Sequence, residues 1–386
     1  MPSTTPASRP PADSREGLAS PGRFHLVDGL RGLAALWVLS FHLVAPPLAG
    51  GLVEGFALPI RALTAHGWLG VQTFFVLSGF VIAHSLRNVS TSPDFLARFV
   101  ARRSVRLDPP YWMAIAAAVC SIYFSNWIIP ERTLRLPGPG EIASHLVYLQ
   151  EILGYEQLVD VFWTLCIEFQ LYLVLAVLLV LGQLTGRVLR SARTRQVIGW
   201  LFLATTIAMS LLSTLAPGGP TKVWFFPYWY QFFLGALTYW TIMGRSSRAS
   251  LVLLGCAVLG AGLLSRPDQP LASLGTASIL YLAGRTGSLG TWLSSRPFRF
   301  LGAISYSLYL THTLVFSRGC NLMTRLGYLP GNEWPAAIVL VAAALLVATI
   351  WNRLFERPSL KWSRKISLDH HRLEVRPSRT GSASSC

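Results

Sequence analysis

The chain has 386 residues, 52% of them hydrophobic and only 13% charged, with a mean hydropathy of +0.47; this excludes an ordinary water-soluble globular domain and makes the bilayer the solvent. Thirty-three Lys and Arg stand against 17 Asp and Glu, a net charge of +16, and such an excess marks nucleic acid, anionic lipid or membrane orientation. The cysteines at 120, 166, 256, 320 and 386 stand singly, which excludes a disulfide framework and offers no zinc spacing.

The first 23 residues are rich in Pro, Ser and Arg and lack an apolar stretch, so they are expected to form a disordered cytoplasmic tail and not a signal peptide. Crossing the hydrocarbon takes ~20 apolar residues. Candidate crossings follow at Gly29–Pro46, Gly67–Leu86, Pro109–Ile129, Val161–Gln183, Val197–Ala216 and Val223–Met243. Four more lie at Ser250–Leu264, Pro270–Gly284, Phe298–Phe316 and Trp334–Leu354. The predicted fold class is all-α, a polytopic transmembrane helical bundle of about ten spans over residues 24–358, followed by a basic cytoplasmic tail over 359–386. The breaker RPDQP between the seventh and eighth stretches marks either a hairpin turn or one interrupted element. Between the third and fourth, EIASHLVYLQEILG over 141–154 has helical spacing but is short and acidic; it is expected to lie along the outer interface, as a lid.

Orientation follows from the basic residues. With the N-terminus inside, the large majority fall in cytoplasmic segments, among them Arg98, Arg102, Arg103, Arg106, Arg187, Arg190, Arg245 and Arg248. The longest outer loop instead carries Glu131, Glu141, Glu151, Glu156 and Asp160 against Arg132 and Arg135. The basic excess is thus a topology signal that needs no nucleic-acid partner, and both termini are expected in the cytoplasm. Trp68, Trp127, Trp163, Trp224 and Trp334 near outer ends, with Trp112, Trp200, Trp240 and Trp351 near inner ends, agree with that map.

An ionisable side chain inside a span costs several kcal/mol unless paired or wetted, which makes each one a functional candidate. Arg31 and His42 stand with ten residues between them, so they share one helical face at a separation of ~16 Å along the axis. His312 in the ninth stretch is expected at the depth of His42, and Glu168 in the fourth reaches the same layer. Alternatives stay open for each: a neutral packed histidine, an Arg31 that snorkels to inner headgroups, a purely structural glutamate. Arg103 and Arg106 sit at i, i+3 before Pro109 and Pro110; they serve equally as an orientation signal or as two guanidinium forks suited to phosphate. The aromatic run from Trp224 to Phe233 reads as interfacial anchoring or as a cavity wall for a sugar or acyl chain.

Together these segments resemble the acyltransferase-3 family of bacterial membrane O-acyltransferases. The resemblance rests on VDGLRGLAALWVLSFH with Arg31 and His42, GVQTFFVLSGFVIA from Gly70, and RRSVRLDPPYW with Arg103 and Arg106. It continues through FWTLCIEFQLYL with Glu168, ISYSLYLTH with Tyr306, Tyr309 and His312, and FERP at Phe355–Pro358. It implies acyl transfer from cytoplasmic acyl-coenzyme A to a hydroxyl of a carbohydrate, lipid-linked or macrolide-type acceptor near the outer face of the bacterial cytoplasmic membrane. His42 and Arg31 would be essential, and Arg103 with Arg106 would serve the donor. On this reading His42 is the general base, or carries the acyl group itself. Glu168 orients or charge-stabilises that imidazole, and His312 with Tyr309 holds the acceptor or the oxyanion. Ala34 and Ala35 would leave room for the donor arm between Arg31 and His42. No metal and no bound cofactor are expected, acyl-coenzyme A being a co-substrate. Nothing of globular length follows the tenth stretch, so the chain is expected to act without the SGNH-type hydrolase domain found in some such enzymes. The rival class is a transporter or flippase of a glycan or lipid, which also places charges at mid-membrane.

Overall fold

The computed structural model describes residues 24–44, 58–87, 94–128, 134–188, 191–215 and 223–368. The tail expected over 1–23 and the end of the second tail lie outside them. Among the described residues the regular structure is entirely helical. Helices α1 (His25–Leu43), α2 (Leu58–Ala65), α3 (Gly70–Ser85), α4 (Phe95–Ile128) and α5 (Pro139–Leu146) are followed by α6 (Trp163–Val188) and α7 (Ala192–Thr214). Then come α8 (Phe226–Ile242), α9 (Arg248–Leu264), α10 (Asp268–Arg285), α11 (Arg296–Arg325), α12 (Glu333–Trp351) and, after a π turn over Asn352–Glu356, α13 (Arg357–Ser363).

Each expected crossing coincides with a helix, and among the described residues five segments are long and apolar enough to cross a membrane. These are His25–Leu43, Gly67–Ser85, Phe95–Ile128, Asp160–Gly182 and Glu333–Ser363. Helices α8 and α9 have 17 residues each, about 25 Å at 1.5 Å per residue, short of a ~30 Å hydrocarbon core. Helix α11 has the length, at 30 residues, but spends it on Arg296, Arg299, His312 and Arg318. RPDQP proves to be the turn of a hairpin, because Gly255 of α9 faces Leu274 of α10.

Lipid tails are as apolar as leucine, so helices in a bilayer associate through close packing and not through a hydrophobic drive. Glycine supplies the approach at two crossings. A Cβ on Gly235 of α8 would overlap the Val76 carbonyl of α3, and one on Gly79 the Phe232 carbonyl. These helices form the centre of the bundle, with α8 buried along almost its whole length. At the second crossing Gly32 of α1 meets the backbone of Gly302 in α11, whose own Cα faces Asp28. Helix α12 packs on the other side of α11 through Leu340, Ala344 and Ala348.

The connection from α4 to α6 differs from the interfacial lid expected over 141–154. It starts at the end of α4, where Leu134 exchanges hydrogen bonds with Asn126 at 2.7 and 2.8 Å. It then runs down α4, with Trp112 donating to the Leu146 carbonyl at 3.0 Å and the Tyr148 hydroxyl to Asp108 at 2.8 Å. Asn126 to Asp108 is roughly 27 Å of helix. Tyr148 turns the chain with φ of 62°, its ring stacked on Tyr111 and Phe169 at 4.8 and 5.1 Å. Glu141, Ser144, His145, Tyr148 and Gln150 are buried against the helices, while Val147, Leu149 and Leu153 stay exposed. Sequence spacing missed this because Glu141, which looked solvent-facing, is buried and accepts from Arg135 at 2.8 Å. Helical packing also continues beyond Pro358: α13 lies against α4, with Ser359 and Ser363 buried.

Candidate active site

Helices α1 and α11 carry the two histidines in register. His42 follows Gly32 by the same ten residues that separate His312 from Gly302, so the glycine crossing sets both at one level. Nε2 of His312 lies 3.3 Å from Nδ1 of His42. A carbonyl can only accept, which fixes the tautomers. Nδ1 of His42 donates to the Val38 carbonyl at 3.0 Å, and Nδ1 of His312 to the Leu308 carbonyl at 2.9 Å. His312 Nε2 is then a lone pair facing the His42 Nδ1 hydrogen. His42 Nε2 keeps its lone pair and has no partner among the described residues. His312 is fully buried, whereas His42 is half-buried.

A cavity of about 150 Å³ ends one turn short of this pair. Tyr309, Phe74 and Thr164 close its end. The Tyr309 ring meets Phe74 edge-on at 5.5 Å and lies 6.0 Å from the His312 ring. Its hydroxyl is 2.8 Å from Thr164 Oγ1, which itself lies 2.9 Å from the Val161 carbonyl. Either hydroxyl can donate in that bond, since the Tyr309 hydroxyl also lies 3.5 Å from the Val161 carbonyl. Glu168, one turn of α6 beyond Thr164, lines the same cavity with Arg31, Arg106 and Glu356.

Glu168 does not contact His42. Its Oε1 accepts from the Ser78 hydroxyl at 2.6 Å and from the Tyr172 hydroxyl. The partner of the His42 imidazole is His312, a pairing that depth alone anticipated without fixing which faces meet. The two arginines of the RxxR spacing also separate. Arg103 is 8% exposed, with its guanidinium over the rings of Phe99 and Tyr172 at 5.5 and 5.2 Å, and donates to Ser85 at 3.4 Å. Arg106 lines the cavity beside Arg31. Ala34 and Ala35, expected to leave room for a donor arm, are buried against neighbouring helices and line no cavity described.

Sequence spacing gave no role to Glu356, which the π turn carries into the cavity wall. Its Oε2 accepts from Ser307 at 2.6 Å and Asn352 at 2.8 Å, and Asn352 also donates to the Ala303 carbonyl at 2.7 Å. The FERP motif was the available signal. Among the described residues no group of three or more His, Cys, Asp or Glu is placed to hold a metal ion.

The arrangement offers a proton acceptor (His42 Nε2) whose opposite nitrogen is pinned, beside a deep chamber with charged walls. Comparison with known proteins gives this chemistry a context. The profile of a family described as an acyltransferase domain matches residues 24–353. The O-acetyltransferase OatA of Staphylococcus aureus is 27% identical over 405 residues, which cover 90% of this chain and 58% of that protein. The peptidoglycan O-acetyltransferase OatA of Listeria monocytogenes is 27% identical over 383 residues, 87% of this chain and 55% of that protein. The chain thus spans about half the length of the curated relatives it matches. No solved structure matches it.

Proposed function

Because the chain belongs to the acyltransferase domain family, we propose that it is a multi-pass membrane O-acyltransferase that carries an acyl group, acetyl by default, from cytoplasmic acyl-coenzyme A to a carbohydrate hydroxyl of the bacterial cell envelope. The observation that carries this reading is the His42–His312 pair at the end of a cavity that Arg31 and Arg106 line. About ten helices cross the cytoplasmic membrane with both termini inside. The relatives named for peptidoglycan O-acetylation support a cell-wall glycan as the acceptor class.

In the reaction, His42 Nε2 takes the proton of the acceptor hydroxyl as its oxygen bonds to the thioester carbonyl carbon. The C–S bond breaks, and the thiolate leaves with the proton returned from the imidazolium as free thiol. His312 holds His42 in the tautomer that leaves Nε2 basic. Tyr309 stands between chamber and histidines, so its ring must give way for the thioester to pass. Arg31 and Arg106 hold the donor, and Glu168 fixes Tyr172 beneath Arg103. Purified protein in detergent, given labelled acetyl-coenzyme A and a soluble glycan acceptor, should yield labelled ester; glycan bound or moved without ester would support a transporter instead.

A further inference from the structure

A second cavity of about 540 Å³ adjoins the first, and Asp28, Arg31, Arg106 and Leu360 line both. Away from that junction α4 contributes Arg102 and the buried Arg103, and Arg364 caps α13; Arg102 and Arg364 each stand one helical turn from a junction residue, Arg106 or Leu360. One turn is about 6 Å along an axis. The guanidinium groups therefore form two tiers. Arg31 faces Arg106 at the junction, and Arg102 faces Arg364 one turn further out, each pair close enough to feel the other's charge.

The tiers differ in their counter-charge. Asp28, Glu168 and Glu356 line the chamber at the inner tier. No carboxylate other than Asp28 lines the second cavity, and neither Arg102 nor Arg364 has an ion pair among the described residues. Arg102 is half-buried and Arg364 exposed, two like charges whose repulsion an anion between them offsets, and guanidinium forks match phosphate oxygens. On the reading of the donor given above, we propose that Arg102 and Arg364 form a separate phosphomonoester site at the outer tier. The donor it selects carries a phosphomonoester apart from the diphosphate held at Arg31 and Arg106. Arg364, which spacing assigned to a tail, is thereby a specificity residue.

The test is equilibrium binding of coenzyme A and of 3′-dephospho-coenzyme A to the full chain in phosphatidylcholine nanodiscs. Wild type should prefer coenzyme A by about tenfold, the worth of one charge-assisted hydrogen bond. R102Q and R364Q should each bring that preference close to unity while binding 3′-dephospho-coenzyme A as wild type does, which also shows that they are folded. Equal affinity of wild type for both nucleotides, or undiminished discrimination in both variants, overturns the site. Discrimination that disappears in the variants only when phosphatidylglycerol is added would assign the tier to a lipid headgroup and overturn it too. If wild type binds neither nucleotide, the coenzyme A reading itself fails; if it transfers acetyl but does not discriminate, only this site fails.

Discussion

His312 Nε2 stands 3.3 Å from His42 Nδ1, two side chains that are 270 residues apart in sequence. The contact ties the proton on His42 to the nitrogen away from the free Nε2 lone pair. On the mechanism proposed above, it makes His312 a positioning residue for the base.

His42→Ala removes the proton acceptor and should lower acyl transfer by about a hundredfold or more, the usual worth of a general base. Protein yield and gel-filtration profile should not change, because His42 is half-buried and its hydrogen-bond partners among the described residues are the Val38 carbonyl and His312. Turnover above a tenth of wild type would sink the role.

His312→Gln retains an acceptor that can reach His42, whereas His312→Ala does not. The glutamine variant should therefore keep more kcat than the alanine variant, with KM for the donor similar in both. Equal losses in the two would mean that His312 matters for packing alone.

Gly235→Ala places a methyl group against the Val76 carbonyl and should cost ~1 to 3 kcal/mol through overpacking, read as a lower unfolding temperature in detergent. Gly260→Ala is the control, since its Cβ meets nothing within 4 Å in α9. It should be neutral or slightly stabilising. A Gly235→Ala variant as stable as wild type would show that the α3–α8 crossing is looser than described.

Acid should loosen the connection between α4 and α6. His145 lies there, fully buried, with Nδ1 donating to the Glu141 carbonyl at 2.8 Å and Nε2 accepting from the Leu158 N–H at 3.2 Å. Burial pulls its pKa below the ordinary value of 6.5, against the raising effect of the Glu141 carbonyl. The folded connection thus binds the proton less readily than the unfolded one. Its stabilisation is complete above pH 6.5 and declines as the pH falls from there toward the lowered folded value. Protection factors for hydrogen exchange over 134–160, taken against the intrinsic rate at each pH, should fall on acidification through that window, and His145→Gln should abolish the fall. Protection factors independent of pH in wild type would remove His145 as the cause.

The sequence by itself determined which stretches are helical, since apolar runs, prolines and basic flanks act locally. It also placed Arg31 and His42 on one stripe of α1, because that relation depends only on the helical repeat. Which face meets which was decided by tertiary structure. The Gly32–Gly302 approach brings His312 to His42, while Glu168 goes to Ser78 and Tyr172. The spacing of Arg103 and Arg106 did not show that both line the second cavity while Arg103 alone stacks on Phe99 and Tyr172 and Arg106 alone reaches the first. The descent of the 134–160 connection to Asp108 and the return of Arg364 to the second cavity join residues far apart in the chain. Such contacts depend on where backbones can approach closely, which in a bilayer is set by small residues and satisfied polar groups and not by the hydrophobic pattern of any one helix.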